Sequence, residues 1–399
     1  MRISINANRC QPSPMRKFHP YAQEAKRQGK KIYHLNIGQP DLPTPRAYFD
    51  AVKNFDPATL EYEASPGMPV LIDAIRRYYQ SLDVYLDPRD ILITTGGSEA
   101  LLLTLLSILD PYTEVIIPEP YYPNYTTFVN AAGGFIRALP TNPWEGYRYA
   151  DRERIESLIT PNTRAILITN PGNPTGVVLT QDEMRMIADI AKKHGLFLIC
   201  DEVYREFCYD DKFGVPTMAK YRDIDENLVI IDSVSKRFSA CGARVGCVVT
   251  RNQELQQALV KFCQSRLSVA TIDQLGAAAL YDIDPKFFRE SKAEYRRRRD
   301  TVVSCLRQIP GVVVEEPMGA FYVMASLPVD DTDKFQTWLL TEFSDNNETV
   351  MYAPGAGFYG TPGKGVDEVR FAYVLNCKDL ERSMELLKLA IEKYNAAKA

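Results

Sequence analysis

Leu228-Val-Ile-Ile-Asp-Ser-Val-Ser-Lys236 sets four apolar residues, three of them β-branched, directly before a polar turn that ends in a lysine. A short apolar run of this kind reads as a buried strand, and the residues just past it as the strand's carboxyl end. The same unit recurs on both sides. Ile91-Leu-Ile-Thr94, Glu114-Val-Ile-Ile117, Ala165-Ile-Leu-Ile168, Leu196-Phe-Leu-Ile199 and Val245-Gly-Cys-Val-Val249 are strand-like. Helical patterns run over Ser98 to Leu109, over Gln181 to His194 with Gly195 closing it, and over Glu254 to Ser265. Strands alternating with helices predict an α/β fold, a mostly parallel sheet between helices.

From about Pro285 the pattern changes to a long polar helix through Arg299, then Val312-Val-Val-Glu315, Phe321-Tyr-Val-Met324 and a terminal helix from Lys378, which reads as a smaller α+β lobe. A chain of 399 residues exceeds the size at which one core keeps growing, so two lobes are expected. The expected division is a large domain over 46–285 and a small domain made of 1–45 and 286–399. The segment 1–45, rich in Pro and polar groups, is too short to fold alone and is expected to complete the small lobe or to reach a partner subunit as an arm.

Composition excludes several classes of function. Hydrophobic residues make up 45% and charged residues 25%, as in an ordinary globular protein. With 51 acidic against 47 basic side chains the net charge is -4, so no global field favours nucleic acid or an anionic membrane. The basic run Arg296 to Arg299 reads as a solvated helix face. Eight cysteines without a CxxC pair, beside three histidines, argue against a zinc site or a disulfide framework, so no metal is expected. No signal peptide or membrane span is legible, and a reducing cytoplasm is the expected setting.

In a parallel sheet, ligand-binding groups collect beyond the carboxyl ends of the strands. After Ile91-Leu-Ile comes Thr94-Thr-Gly-Gly-Ser-Glu99, where a glycine turn opening a helix reads either as a phosphate cradle or as a plain N-cap by Ser98. After Ala165-Ile-Leu-Ile168 comes Thr169-Asn-Pro-Gly-Asn-Pro-Thr-Gly176, a loop in which Asn173-Pro174 is a candidate cis bond. After Leu196-Phe-Leu-Ile-Cys200 comes Asp201-Glu-Val-Tyr204; a carboxylate there needs a cation, either a pyridinium nitrogen or a core arginine. Lys236 ends the opening stretch, with Ser233 and Ser235 before it and Arg244 in Gly242-Ala-Arg-Val-Gly246. Gly355-Ala-Gly-Phe-Tyr-Gly360 matches GxGxxG, but Thr361-Pro-Gly-Lys-Gly365 cannot begin the helix that a dinucleotide site requires.

Taken in order, these pieces resemble the class I/II aminotransferases, fold type I enzymes dependent on pyridoxal 5'-phosphate (PLP). The pieces are Asn36-Ile-Gly-Gln-Pro-Asp41, Tyr62 with Gly67, Gly96-Gly-Ser-Glu-Ala100, Pro120-Tyr-Tyr-Pro-Asn-Tyr125, Asn170 to Gly176, Asp201 to Tyr204, Ser233 to Lys236, Gly242-Ala-Arg244 and Val369-Arg-Phe-Ala372. The resemblance implies that Lys236 carries PLP as an imine, that Asp201 pairs with its ring nitrogen, and that Asn173 and Tyr204 bond its phenolate oxygen. Tyr122 would stack on the ring. Gly97, Ser98, Glu99, Ser233, Ser235 and Arg244 would form the phosphate side, joined by Tyr62 from the other subunit of a homodimer. Arg370 would hold the substrate α-carboxylate, with Gly38 and Asn173 assisting.

Departures from the pattern are Ile72, where an arginine is common, and Tyr122, where many aspartate-specific members have tryptophan. The implied reaction moves an amino group between an L-amino acid and a 2-oxo acid such as 2-oxoglutarate. Aspartate is the leading donor, with alanine, aromatic amino acids, methionine and a fold type I β-lyase as alternatives. The lysine that reads a distal carboxylate in one bacterial subgroup is Ser98 here, which leaves Arg266 as the candidate, set against a surface or structural role for that residue.

Overall fold

The computed structural model describes residues 1–398. Its central sheet has seven strands in the order Ile91–Thr94, Gly246–Val249, Leu228–Ser233, Phe197–Asp201, Thr163–Thr169, Glu114–Glu119 and Phe135–Pro140. Only Gly246–Val249 runs antiparallel to its neighbours; every other pairing is parallel. The strands inside the sheet are largely apolar runs because both faces are covered, whereas the edge strand Phe135–Pro140 is partly exposed. Ile91, Ile93, Ile166, Ile168, Leu198 and Ile230 enter the apolar layer on one face, and Leu92, Leu167, Ile199, Val229 and Ile231 enter the layer on the other. This period-two split fixes the register, since a slip of one residue would exchange the two faces. The helix Gln181–His194 begins with a reciprocal cap, Glu183 N donating to Thr180 Oγ1 at 3.2 Å and Thr180 N to Glu183 Oε2 at 2.7 Å, and Gly195 closes it at φ +62°.

A second sheet is antiparallel, with Glu368–Ala372 and Tyr322–Ser326 at its centre and the short strands Ala353–Pro354 and Val313–Val314 at its edges. The core beside it includes Phe335, Tyr352, Phe371 and Leu386, and the helices Lys286–Leu306 and Cys377–Ala396 contribute to it. The N-terminal segment serves both sheets. Its first helix, Ile5–Arg9, lies on the helix Asn124–Ala131, where Arg9 Nη2 donates to Gly134 O at 2.7 Å and Asn130 Nδ2 to Arg9 O at 2.9 Å. The helix His19–Arg27 packs on Thr332–Thr341, and Lys31–His34 pairs in parallel with Glu348–Met351. No helix among the described residues is long and apolar enough to cross a membrane.

The basic run of the long helix differs from the solvated face expected. Arg296 and Arg297 are exposed, but Arg298 is buried against Asp41 at 2.6 Å and Glu294 at 2.8 Å, and Arg299 reaches Glu316 at 3.2 Å and the Pro317 carbonyl at 3.1 Å. The helical period explains this, since Tyr295, Arg298, Arg299 and Val302 share one inward face.

A second buried charge cluster lies under the Lys236 turn. Asp232 accepts from Arg237 Nη2 at 2.9 and 2.8 Å and pairs with Arg205 Nη2 at 3.2 Å, while Arg205 also meets Glu202 at 3.1 Å. Both guanidiniums are wholly buried, Arg237 over the Tyr78 ring at 4.2 Å and Arg205 over Tyr79 at 4.7 Å. Asp232→Ala leaves two buried cations short of an anion and is expected to lose about 3–5 kcal/mol. Arg222→Ala, which breaks an exposed pair with Asp225, is expected to lose less than about 1 kcal/mol. Denaturant unfolding of the two variants checks the contrast.

Candidate active site

The carboxyl ends of the parallel strands open into a cleft of about 630 Å³, which residues of both sheets and of the N-terminal segment also line. Beyond Ile91–Thr94 the chain turns at Gly96, φ +73°, into the helix Gly96–Ile108. A Cβ at Gly96 would sit 2.4 Å from Arg244 Nη2, and one at Gly246 would sit 2.5 Å from Gly96 C, so glycine alone permits this packing. The helix starts two residues before Ser98, which removes the N-cap reading of that serine; Thr95 is the cap and makes no side-chain bond. Ser98 and Gly97 face the cleft from the first helical turn, where backbone N–H groups have no helical acceptor.

Ser233 ends its strand and caps the short helix Val234–Arg237 by accepting from Ser235 N at 2.9 Å. That turn carries Lys236, whose Nζ donates to Gly38 O at 2.6 Å and lies 3.8 Å from Cys241 Sγ. Ser233, Ser235 and Arg244 also line the cleft. The Arg244 guanidinium donates to Cys241 O at 3.0 Å and has no carboxylate partner among the described residues.

Asp201 ends the strand Phe197–Asp201 with no arginine upon it; the core arginines are held by Glu202 and Asp232 instead. Its carboxylate accepts from Tyr125 Oη at 2.7 Å and from Val203 N at 3.3 Å. Burial pushes its pKa up to about 6, against the opposing pull of these two bonds. Tyr122 meets Tyr125 edge to face at 5.5 Å, and Tyr204 Oη lies 2.9 Å from Tyr322 Oη. Tyr322 in turn covers Gly38, where a Cβ would fall 1.8 Å from its hydroxyl oxygen. The Asn173-Pro174 bond is cis, as are Glu119-Pro120 and Asn170-Pro171.

Arg370 is 2% exposed and has only neutral partners: Asn173 Oδ1 at 3.0 Å, Asn36 O at 2.8 Å, Met15 Sδ at 3.5 Å and the Tyr322 ring at 4.4 Å. Its Nε has no acceptor, and burial pulls its pKa below the ordinary arginine value. A buried guanidinium without an anion is a site for one.

Three sequence candidates lie elsewhere. Glu99 accepts from Thr95 N at 2.7 Å and pairs with Arg266 at 3.4 Å, so its carboxylate faces that ion pair and does not line the cleft. Arg266 also donates to Ile93 O at 3.0 Å and does not line the cleft of its own chain. Tyr62 is 82% exposed and is likewise absent from that wall. Conversely, Tyr125, Tyr322 and Met15 are at the site without having been singled out. Tyr125 closes the Pro120 to Tyr125 motif, Tyr322 passes in sequence for a core residue of its strand, and no sequence signal marks Met15.

A family model described as Aminotransferase class I and II matches residues 30–349. The chain belongs to this family. It is 30% identical to the aspartate aminotransferase of Bacillus subtilis over 99% of this chain and 100% of that protein. A Thermus thermophilus aspartate aminotransferase mutant superposes with a TM-score of 0.88 at 28% identity, covering 98% of this chain and 100% of the other. The alanine aminotransferase of Pyrococcus furiosus superposes equally well, with a TM-score of 0.88 at 27% identity and the same coverage.

The raised Asp201 pKa has a consequence for the cofactor-free aminotransferase. Folding keeps a proton on this group that the unfolded chain, with its carboxyl at 3.8, has already released, so the group costs stability as pH rises from 3.8 through about 6. The full difference is about 3 kcal/mol. Cofactor-free Asp201→Asn is therefore expected to be the more stable protein at pH 7.5, and its advantage to vanish toward pH 4. Denaturant unfolding across that range measures it.

Proposed function

We propose that this aminotransferase uses PLP to exchange an amino group between an L-amino acid, with aspartate the leading donor, and a 2-oxo acid such as 2-oxoglutarate. The observation that carries the reading is Arg370, a buried cation with only neutral partners in the same cleft as Lys236. Arg370 supplies the planar fork that takes an α-carboxylate in two parallel bonds, and Asn173 and the Asn36 carbonyl hold that fork in place.

The residues fit the cofactor. Asp201 is a buried carboxylate that lacks a cation, as the partner of a pyridinium nitrogen would. Gly97, Ser98, Ser233, Ser235 and the unpaired Arg244 offer donors for a phosphate, two of them at the start of a helix. When bound, PLP supplies a carbonyl carbon for the amino group and a protonated ring that accepts the electron pair left at Cα.

In our reading the chain's own groups do the rest. Lys236 Nζ, positioned by the Gly38 carbonyl, takes the proton from Cα and returns it during the exchange. Asp201 holds a proton on the ring nitrogen, and Tyr125 and Val203 N keep the carboxylate oriented. Tyr204 and Asn173 would hydrogen-bond the cofactor's ring oxygen and Tyr122 would stack on its ring, while Gly38 lets Tyr322 pack closely beside Lys236.

The same proposal takes the chain as two domains, 46–285 and 1–45 with 286–399, with the cleft between them. It takes the working unit as a homodimer in which exposed Tyr62 serves the partner's phosphate site. The eight free cysteines support a reducing, cytoplasmic setting.

Lys236→Ala is expected to retain PLP but lose at least about 10³-fold in turnover, in the range of losses for removing a general base that also positions the reacting group. Turnover is read as keto-acid product from a panel of amino donors with 2-oxoglutarate. Full activity in the variant overturns the role of Lys236, and ammonia release independent of any 2-oxo acid overturns the transferase reading in favour of a lyase.

A further inference from the structure

The basic side chains of the N-terminal segment divide by the direction they face. Lys17 pairs with Asp333 at 2.6 Å and Arg27 with Glu24 at 2.8 Å, both outside the cleft. Arg16 and Lys26 line the cleft and have no carboxylate partner among the described residues. In the helix His19–Arg27 the cleft-lining residues are His19, Ala22, Gln23 and Lys26, the spacing of a single helical face.

Arg16 follows Met15, whose sulfur lies 3.5 Å from Arg370 Nη2, so this turn stands beside the buried guanidinium. His34 ends the strand Lys31–His34. Its Nδ1 lies 3.3 Å from Asn36 Oδ1, and its Nε2 is buried without a partner. Asn36 in turn gives its carbonyl to Arg370. The only carboxylate on the cleft wall among the described residues is Asp201, which belongs to the strand ends of the large sheet.

We propose that Arg16 and Lys26 form the subsite for the second carboxylate of a dicarboxylic amino or 2-oxo acid. The inference rests on the reading of Arg370 as the α-carboxylate site. A substrate anchored there at one end carries its other carboxylate toward the adjacent wall, where two unpaired cations meet it. Arg266, fixed by Glu99, is not needed.

The test uses the PLP-loaded full chain as wild type, Arg16→Ala, Lys26→Ala and the double variant. It measures kcat/KM for aspartate, glutamate and alanine, and calorimetric binding of maleate against propionate. Loss of one charge-assisted pair predicts a fall of about 10- to 100-fold for the dicarboxylic donors in Arg16→Ala, with the double variant lower still and alanine affected far less. Maleate affinity should fall in parallel while propionate affinity holds. Equal losses for charged and uncharged donors, or maleate affinity unchanged in the double variant, would overturn the subsite. A wild type that transaminates only neutral donors and binds maleate no better than propionate also overturns it and leaves the aminotransferase intact. If the wild type turns over no donor, the functional reading fails, and the maleate comparison still decides the subsite.

Discussion

The pairing of Asp232 with Arg205 and Arg237 inside the sheet governs how the catalytic turn is presented. Leu228 to Ile231 pair with Phe197–Asp201 on one side, Ile230 to Ser233 pair with Gly246–Val249 on the other, and Asp232 within this stretch is a carboxylate with no access to water. Its oxygens accept from two arginines stacked on Tyr78 and Tyr79, which makes removal of any one member costly. The strand end and the first turn of the helix after it therefore have one available arrangement. Ser233, Ser235 and Lys236 inherit it, as a reacting group must if it is to be held to a fraction of an ångström.

The same cluster explains why the cleft keeps charges without partners. Arg205 and Arg237 are consumed by Asp232 and Glu202, so neither can neutralise Asp201, which is left with a tyrosine hydroxyl and a backbone N–H. Across the cleft Arg370 is left with an amide, a carbonyl and a thioether. Each is a desolvated charge facing a cavity, a state that costs stability in the free protein and that a ligand of opposite charge relieves. Ligand binding should accordingly stabilise the fold as well as occupy it.

Much of this was legible in the sequence, because a parallel sheet buried on both faces writes its strands as unbroken apolar runs. All six runs recognised are strands, and Gln181–His194 matches to the residue because its capping box and closing Gly195 mark both ends. Phe135–Pro140 was missed; Arg137 and a partly exposed face break the apolar run of this edge strand. The Arg298 and Arg299 burial was missed because charge in a helix reads as solvent exposure unless its tertiary partners, here Asp41 and Glu316, are known. Glu99 belongs to the Gly96 to Ala100 piece that the resemblance assigns to the phosphate side, yet its side chain pairs with Arg266. Met15 and Arg16 could not be placed at the cleft from sequence, because the arm's path past Arg370 depends on helix Ile5–Arg9 docking on one sheet's helix and His19–Arg27 docking on the other's.

The account stands on one side chain, Lys236, as the group that carries the cofactor at the end of the strand Leu228–Ser233. Borohydride reduction of the PLP-loaded protein, followed by proteolysis and mass spectrometry, locates the lysine to which the cofactor is joined. The account predicts the label in the peptide containing Ser235-Lys236-Arg237, absent when the reduced sample is Lys236→Ala. A label on any other lysine, or one that persists unchanged in the variant, would contradict it.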